Sequence, residues 1–139
     1  MAEDERSLVV DDDAAARQLL TTLLQDAGYA VEYAVDGASG FARAKASPPD
    51  LVLLDVAMPK MDGLAACDRL RLDSVTRDLP IIFLSAKGDE DTAALASVLD
   101  ANALIKKPFR PKELLSEVQN RLNTFGGKNR DDDRQDQGT

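Results

Sequence analysis

Leu51-Val52-Leu53-Leu54 and Ile81-Ile82-Phe83-Leu84 are apolar runs with no polar position inside them, so a strand built from either has no face to turn to water. Strands buried on both sides belong to parallel sheets covered by helices, whereas a sheet with one wet face alternates polar and apolar residues. Each run ends on a polar group, Asp55 and Ser85 respectively. Two further segments end the same way: Leu8-Val9-Val10 leads into Asp11-Asp12-Asp13, and Ala103-Leu104-Ile105 leads into Lys106-Lys107. Between these runs the apolar spacing changes to a helical period, the pattern of repeated βα units.

Five such units are predicted. Strand one covers about Ser7 to Asp11. Asp13 caps a first helix whose inner face carries Ala16, Leu19, Leu20, Leu23, Leu24 and Ala27, and Gly28 ends it. Strand two, about Ala30 to Val35, precedes a helix bearing Ala38, Phe41, Ala42 and Ala46, stopped by Ser47-Pro48-Pro49. After strand three, Leu51 to Asp55, a third helix begins near Gly63 with Leu64, Cys67 and Leu70 inward, and Asp73 to Asp78 is a loop. Strand four spans about Pro80 to Ser85. A fourth helix after Asp89 turns Leu95, Val98 and Leu99 inward, and Ala103 to Lys106 is strand five. Pro111 starts a last helix with Leu114, Leu115, Val118, Leu122 and Phe125 on its buried face.

The expected fold is therefore α/β, a doubly wound five-stranded parallel sheet in the flavodoxin-like order 2-1-3-4-5. The folded domain is expected over residues 1–125, and residues 126–139 form a disordered polar tail or linker. In such sheets ligands gather beyond the carboxyl ends of the strands, where strand order reverses. That point lies between strands one and three, which makes the acids at their ends neighbours.

Composition narrows the chemistry. The 139 residues include no histidine and one cysteine, so histidine acid–base catalysis and an internal disulfide are excluded. A net charge of −8 argues against direct nucleic-acid binding, which depends on clustered Lys and Arg. No apolar run approaches the ~20 residues of a membrane span, and the acidic start is not a secretory signal. A cytoplasmic location is expected.

Crowded carboxylates resist ionisation together unless a cation neutralises them. Mg²⁺ suits them, since it takes hard oxygens and typically one or two protein carboxylates beside phosphate oxygens. Asp55 can then offer one oxygen to the metal and the other to phosphorus, with Lys107 and the Ser85 hydroxyl neutralising the transferred group. Each residue alone has a plainer reading: a solvated acidic run, a helix cap at Asp13, a turn cap at Ser85, a surface lysine at 107. Their conjunction at strand ends is what points to phosphoryl chemistry. Cys67, Met58 and Met61 are assigned to packing.

From Ser7 to Phe125 the chain resembles the receiver domain of two-component response regulators, of the chemotaxis-regulator type. The resemblance lies in Val9-Val10-Asp11-Asp12, Leu53-Leu54-Asp55, Met58-Pro59-Lys60-Met61-Asp62-Gly63, Leu84-Ser85-Ala86 and Lys107-Pro108-Phe109. It implies that Asp55 is the phosphoacceptor, Asp12 a direct ligand of Mg²⁺ or Mn²⁺, Asp11 a ligand through water, and Ala57 a ligand through its backbone carbonyl. It also implies that Ser85 and Lys107 bind the phosphoryl oxygens and that Lys107-Pro108 is a cis peptide. The implied partners are a sensor histidine kinase or histidine phosphotransfer protein and an unknown downstream protein. Such a protein is a switch rather than a metabolic enzyme, catalysing only its own phosphorylation and dephosphorylation. The family's switch pairs the hydroxyl residue with an aromatic residue on the last strand, a position held here by Leu104. Asp100-Ala101 likewise stands where the family carries Gly-Ala. No output domain is visible in the sequence.

Three rivals differ in testable ways. A Mg²⁺-dependent aspartyl phosphohydrolase of the haloacid-dehalogenase type needs a second Asp two residues after the nucleophile, where this chain has Ala57. A pseudo-receiver would bind partners without phosphorylation. Flavodoxin-like cofactor binding would need stacking aromatics in the ligand loops, and Tyr29 and Tyr33 lie elsewhere.

Overall fold

The two unbroken apolar runs form the centre of a five-stranded parallel sheet. The computed structural model describes residues 5–56, 63–85 and 101–123. Its strands are β1 (Arg6–Val10), β2 (Ala30–Ala34), β3 (Leu51–Asp55), β4 (Ile81–Ser85) and β5 (Ala103–Lys106). Its helices are α1 (Ala14–Asp26), α2 (Gly37–Ala46), α3 (Gly63–Leu72) and α4 (Pro111–Leu122). The strand order is β2-β1-β3-β4-β5, every neighbouring pair parallel, as the apolar pattern predicts. The predicted helix bearing Leu95, Val98 and Leu99, together with Ala57, Phe125 and the predicted tail, lies outside the described residues.

Alternation along the strands splits the core in two. Leu8, Val10, Val52, Leu54, Ile81 and Phe83 face Ala44 of α2 and Ala66, Cys67 and Leu70 of α3. Val9, Leu51, Leu53, Ile82, Leu84 and Ile105 face Leu20 and Leu24 of α1 and Leu114, Val118 and Leu122 of α4. All five residues of β3 and of β4 are buried, and a polar group enters each strand only at its last position, Asp55 and Ser85. Full burial of one such aliphatic side chain contributes roughly 1.5–3 kcal/mol.

The helix ends follow from local chemistry. Asp13 accepts a hydrogen bond from the Ala16 N–H at 3.1 Å at the start of α1, and Gly28, with φ of 100°, turns the chain out of that helix. Pro111 opens α4, and the Glu113 carboxylate accepts from the Arg110 N–H at 3.4 Å. The Lys107–Pro108 peptide is cis.

Two predicted helix faces need correction. In α2 the buried residues are Gly37, Gly40 and Ala44, while Ala38, Ala42 and Ala46 are exposed and Phe41 is half-buried. The cause is close approach to β1: a Cβ on Gly40 would lie 2.8 Å from Val10 Cγ2. Only the glycine face of α2 can come that near, so its small residues rather than its apolar ones turn inward. In α1, Leu19 is 52% exposed and Ala27 is also exposed. Leu20 and Leu24 alone are fully buried there, and Leu19 lies at the margin beside Pro108 and Phe109.

Candidate functional site

Parallel register brings the strand ends together. Val10 of β1 pairs with Leu54 of β3, so Asp11, the next residue, emerges beside Asp55. Ser85 of β4 pairs with Lys106 of β5. The Lys107 N–H extends that ladder by donating to the Ser85 carbonyl at 2.7 Å, which sets Lys107 next to Ser85. Asp11, Asp12 and Asp55 each bring one carboxylate oxygen to within 4.8 Å of the others.

The three acids are held differently. Asp11 is fully buried. Its Oδ1 accepts from the Asp13 N–H at 3.0 Å and its Oδ2 faces Lys107 Nζ at 3.3 Å. Asp55 is 7% exposed, with Oδ2 3.8 Å from the same ammonium. Asp12 is exposed. Among the described residues, one lysine thus faces two carboxylates while a third stands beside them, so negative charge outweighs positive in this group. Hard oxygens so grouped suit a hard divalent cation. Ser85 Oγ is fully buried and has no hydrogen-bond partner among the described residues. An unpaired buried hydroxyl costs about 1–3 kcal/mol, a cost that a ligand oxygen would relieve.

Asp11, Asp12, Asp55, Ser85 and Lys107 therefore share one site. Leu104 does not join it. It is half-buried, pairs with Phe83 in the sheet and packs against the α2–α3 side of the core.

Three contributors escape sequence reasoning. Arg17 Nη1 donates to the Asp11 backbone carbonyl at 2.9 Å. Its one sequence signal is a cation near a helix N-terminus, where the helix dipole disfavours it. The Asp13 backbone N–H orients the Asp11 carboxylate, beyond its capping role. Gly63 lies so near the end of β3 that an added Cβ would fall 2.2 Å from the Asp55 carbonyl oxygen. Gly63 is legible as a helix start, but its contact with Asp55 depends on the path of the chain between them.

Residues 7–119 match the family model for the response regulator receiver domain. The DNA-binding dual master transcriptional regulator RpaA of Synechocystis sp. is 40% identical over 114 residues, 82% of this chain and 47% of that protein. The DNA-binding response regulator MtrA of Mycobacterium tuberculosis is 41% identical over 118 residues, 85% of this chain and 50% of that protein. Among solved structures, chemotaxis protein CheY4 of Vibrio cholerae superimposes with a TM-score of 0.79 at 34% identity, covering 84% of this chain and 97% of that one. The chain spans about half the length of these curated relatives. Those relatives are named as DNA-binding, which overturns the expectation of no direct nucleic-acid binding. The acidity behind that expectation belongs to these 139 residues alone and carries no information about the other half of a relative. Among the described residues, no helix is long and apolar enough to cross a membrane.

Proposed function

This chain belongs to the receiver family of response regulators, and from that premise we propose that it accepts a phosphoryl group on Asp55 from a histidine kinase or phosphotransfer protein. The observation that carries the reading is the meeting of Asp55 with Asp11, Asp12, Lys107 and an unpartnered Ser85 hydroxyl at one sheet edge. An Asp55 oxygen bonds phosphorus while the bond from phosphorus to the donor imidazole breaks, its electron pair leaving with the nitrogen. Lys107 neutralises the charge on the transferring oxygens, and Ser85 donates its hydroxyl proton to one of them. Asp12 and Asp55, with the Ala57 carbonyl, would hold Mg²⁺ or Mn²⁺ directly and Asp11 through water. The cation supplies charge neutralisation between anionic partners. Water later hydrolyses the acyl phosphate, so the protein is a timed switch rather than a metabolic enzyme.

In this reading residues 1–125 are the receiver, residues 126–139 a polar tail or linker, and the protein works in the cytoplasm. Phosphorylation draws Ser85 inward. Leu104, without a ring to pack or a phenol to hydrogen-bond, transmits less than an aromatic residue would.

Intact mass after treatment with acetyl phosphate and Mg²⁺ tests the core of the proposal. Wild type should gain one phosphoryl group, and Asp55→Asn, or wild type in EDTA, should gain none. Full labelling of Asp55→Asn would sink the assignment. Amide shifts with beryllofluoride and Mg²⁺ test the switch: changes at Leu104 as large as those at Ser85 would show that leucine replaces the aromatic residue fully.

A further inference from the structure

We infer that Arg17, steadied by Tyr33, is a positioning residue that sets the direction of the Asp12 carboxylate and thereby the cation affinity of the site. The inference rests on the reading that Asp12 holds the cation. Only Asp11, Asp12 and Asp13 separate β1 from α1, and the backbone of this turn is tied at several points. The Asp11 N–H donates to the Ala34 carbonyl at 3.2 Å, the Asp13 N–H donates to Asp11 Oδ1, and Arg17 holds the Asp11 carbonyl. Asp12 differs from its neighbours. Its side chain is exposed and makes no hydrogen bond among the described residues, so its direction comes from the backbone.

The Asp11 carbonyl and the Asp12 nitrogen lie in one rigid peptide plane. Fixing the oxygen of that plane fixes the way Asp12 leaves it, and rotation of the plane would swing the Asp12 carboxylate away from Asp55. Arg17 is the side chain that fixes it. Tyr33 in turn lies under the guanidinium, 5.3 Å from ring centroid to Cζ. Tyr33 is paired with Val9 in the sheet, so β2 anchors the arginine to the same frame that carries Asp11. A cation near a helix N-terminus is unfavourable in itself, and the grip on the Asp11 carbonyl is the contact that offsets it.

Mg²⁺ titration of the full chain tests this, with the amide shifts of Asp12 and Asp13 as the reading and melting in EDTA recorded for each variant. If Arg17 acted only through its charge, Arg17→Met would bind Mg²⁺ more tightly, since a positive neighbour is gone. Positioning predicts the opposite sign. Arg17→Met and Arg17→Lys should each bind Mg²⁺ about tenfold more weakly, the scale typical of groups that orient metal ligands. Their Asp12 and Asp13 amides should already be shifted in EDTA, with the rest of the domain unmoved. Tyr33→Leu should weaken binding about two- to fivefold, as expected for an exposed cation–ring contact, and Tyr33→Phe should restore it. Unchanged or tighter binding by a folded Arg17→Met overturns the inference. Should that variant not fold, unchanged binding by Tyr33→Leu overturns it. Failure of wild type to bind Mg²⁺, or wild-type affinity in Asp12→Ala, overturns the functional reading as well. Dependence on Asp12 without dependence on Arg17 overturns the inference alone.

Discussion

The two edges of the sheet use polar groups in opposite ways. At the amino edge side chains close a network of bonds, although the Ser7 hydroxyl of β1 is buried there with no hydrogen-bond partner among the described residues. The Arg6 N–H donates to Asp50 at 2.8 Å, and its guanidinium reaches Glu32 and the Pro48 carbonyl. Asn102 Oδ1 accepts from the Ile81 N–H at 2.7 Å and from Arg71 at 3.2 Å, while Arg121 donates to the Asn102 carbonyl. At the carboxyl edge two of three grouped acids face one lysine, and among the described residues the buried Ser85 hydroxyl lacks a partner. The amino edge ties strands to neighbouring elements, and the carboxyl edge groups the charges on which the proposed phosphoryl site rests. The same sheet supports both because its strands fix the spacing at each end.

Removing a polar group should therefore change stability with opposite sign at the two edges, whereas overpacking is costly at either. The largest effect is expected for Gly63→Ala. Its methyl would overlap the backbone at the end of β3, and overpacking of this kind costs about 1–3 kcal/mol. Urea unfolding should show that loss together with slowed labelling of Asp55, and wild-type stability would mean that the backbone at the end of β3 yields to a methyl group. Asn102→Ala comes next. It strips the Ile81 N–H of its side-chain acceptor at the amino edge, for about 1–3 kcal/mol. Unlike Gly63→Ala, the folded fraction should bind Mg²⁺ as wild type does, and a changed affinity would break the division between the edges.

Asp12→Asn should have the reverse sign. Removing one of three crowded charges should raise stability in EDTA by on the order of 1 kcal/mol or less, and saturating Mg²⁺ should cancel or invert the gain. A lower melting temperature in EDTA would show that the acids are not under repulsion. The smallest effect concerns Asp73, in the turn after α3. Its carboxyl is held below the ordinary value of 3.8, first by the Val75 N–H and then by Lys45. A lowered folded value means that the contribution is complete above 3.8 and is lost as pH falls through the folded value. Carboxyl NMR should place the Asp73 midpoint below 3.8, and a midpoint above it would refute the account.

The carboxyl edge was more legible in the sequence than the amino edge, for a physical reason. Asp11, Asp55, Ser85 and Lys107 each follow an apolar run, so a parallel topology is enough to gather them. The amino-edge bonds join Arg6 to Glu32 and Asp50, or Asn102 to Ile81 and Arg71. They arise from side-chain reach, which no periodicity records. The reversed face of α2 has a related cause: Gly37 and Gly40 carry no apolar signal, and their value lies in the approach to Val10 that they permit. Arg17 was hidden because its partner is a backbone carbonyl, a group every residue possesses.

Leu104 and Ile105 are adjacent in the chain, yet they report to separate audiences. The sheet is a partition between two cores, and Leu104 touches the Phe83 side while Ile105 touches the Leu114 and Val118 side. Conformational news carried by one position of β5 is thus heard on one side of the partition and muffled on the other. Successive residues of a strand become independent channels, and the side on which a signal emerges is decided by whether its position is odd or even.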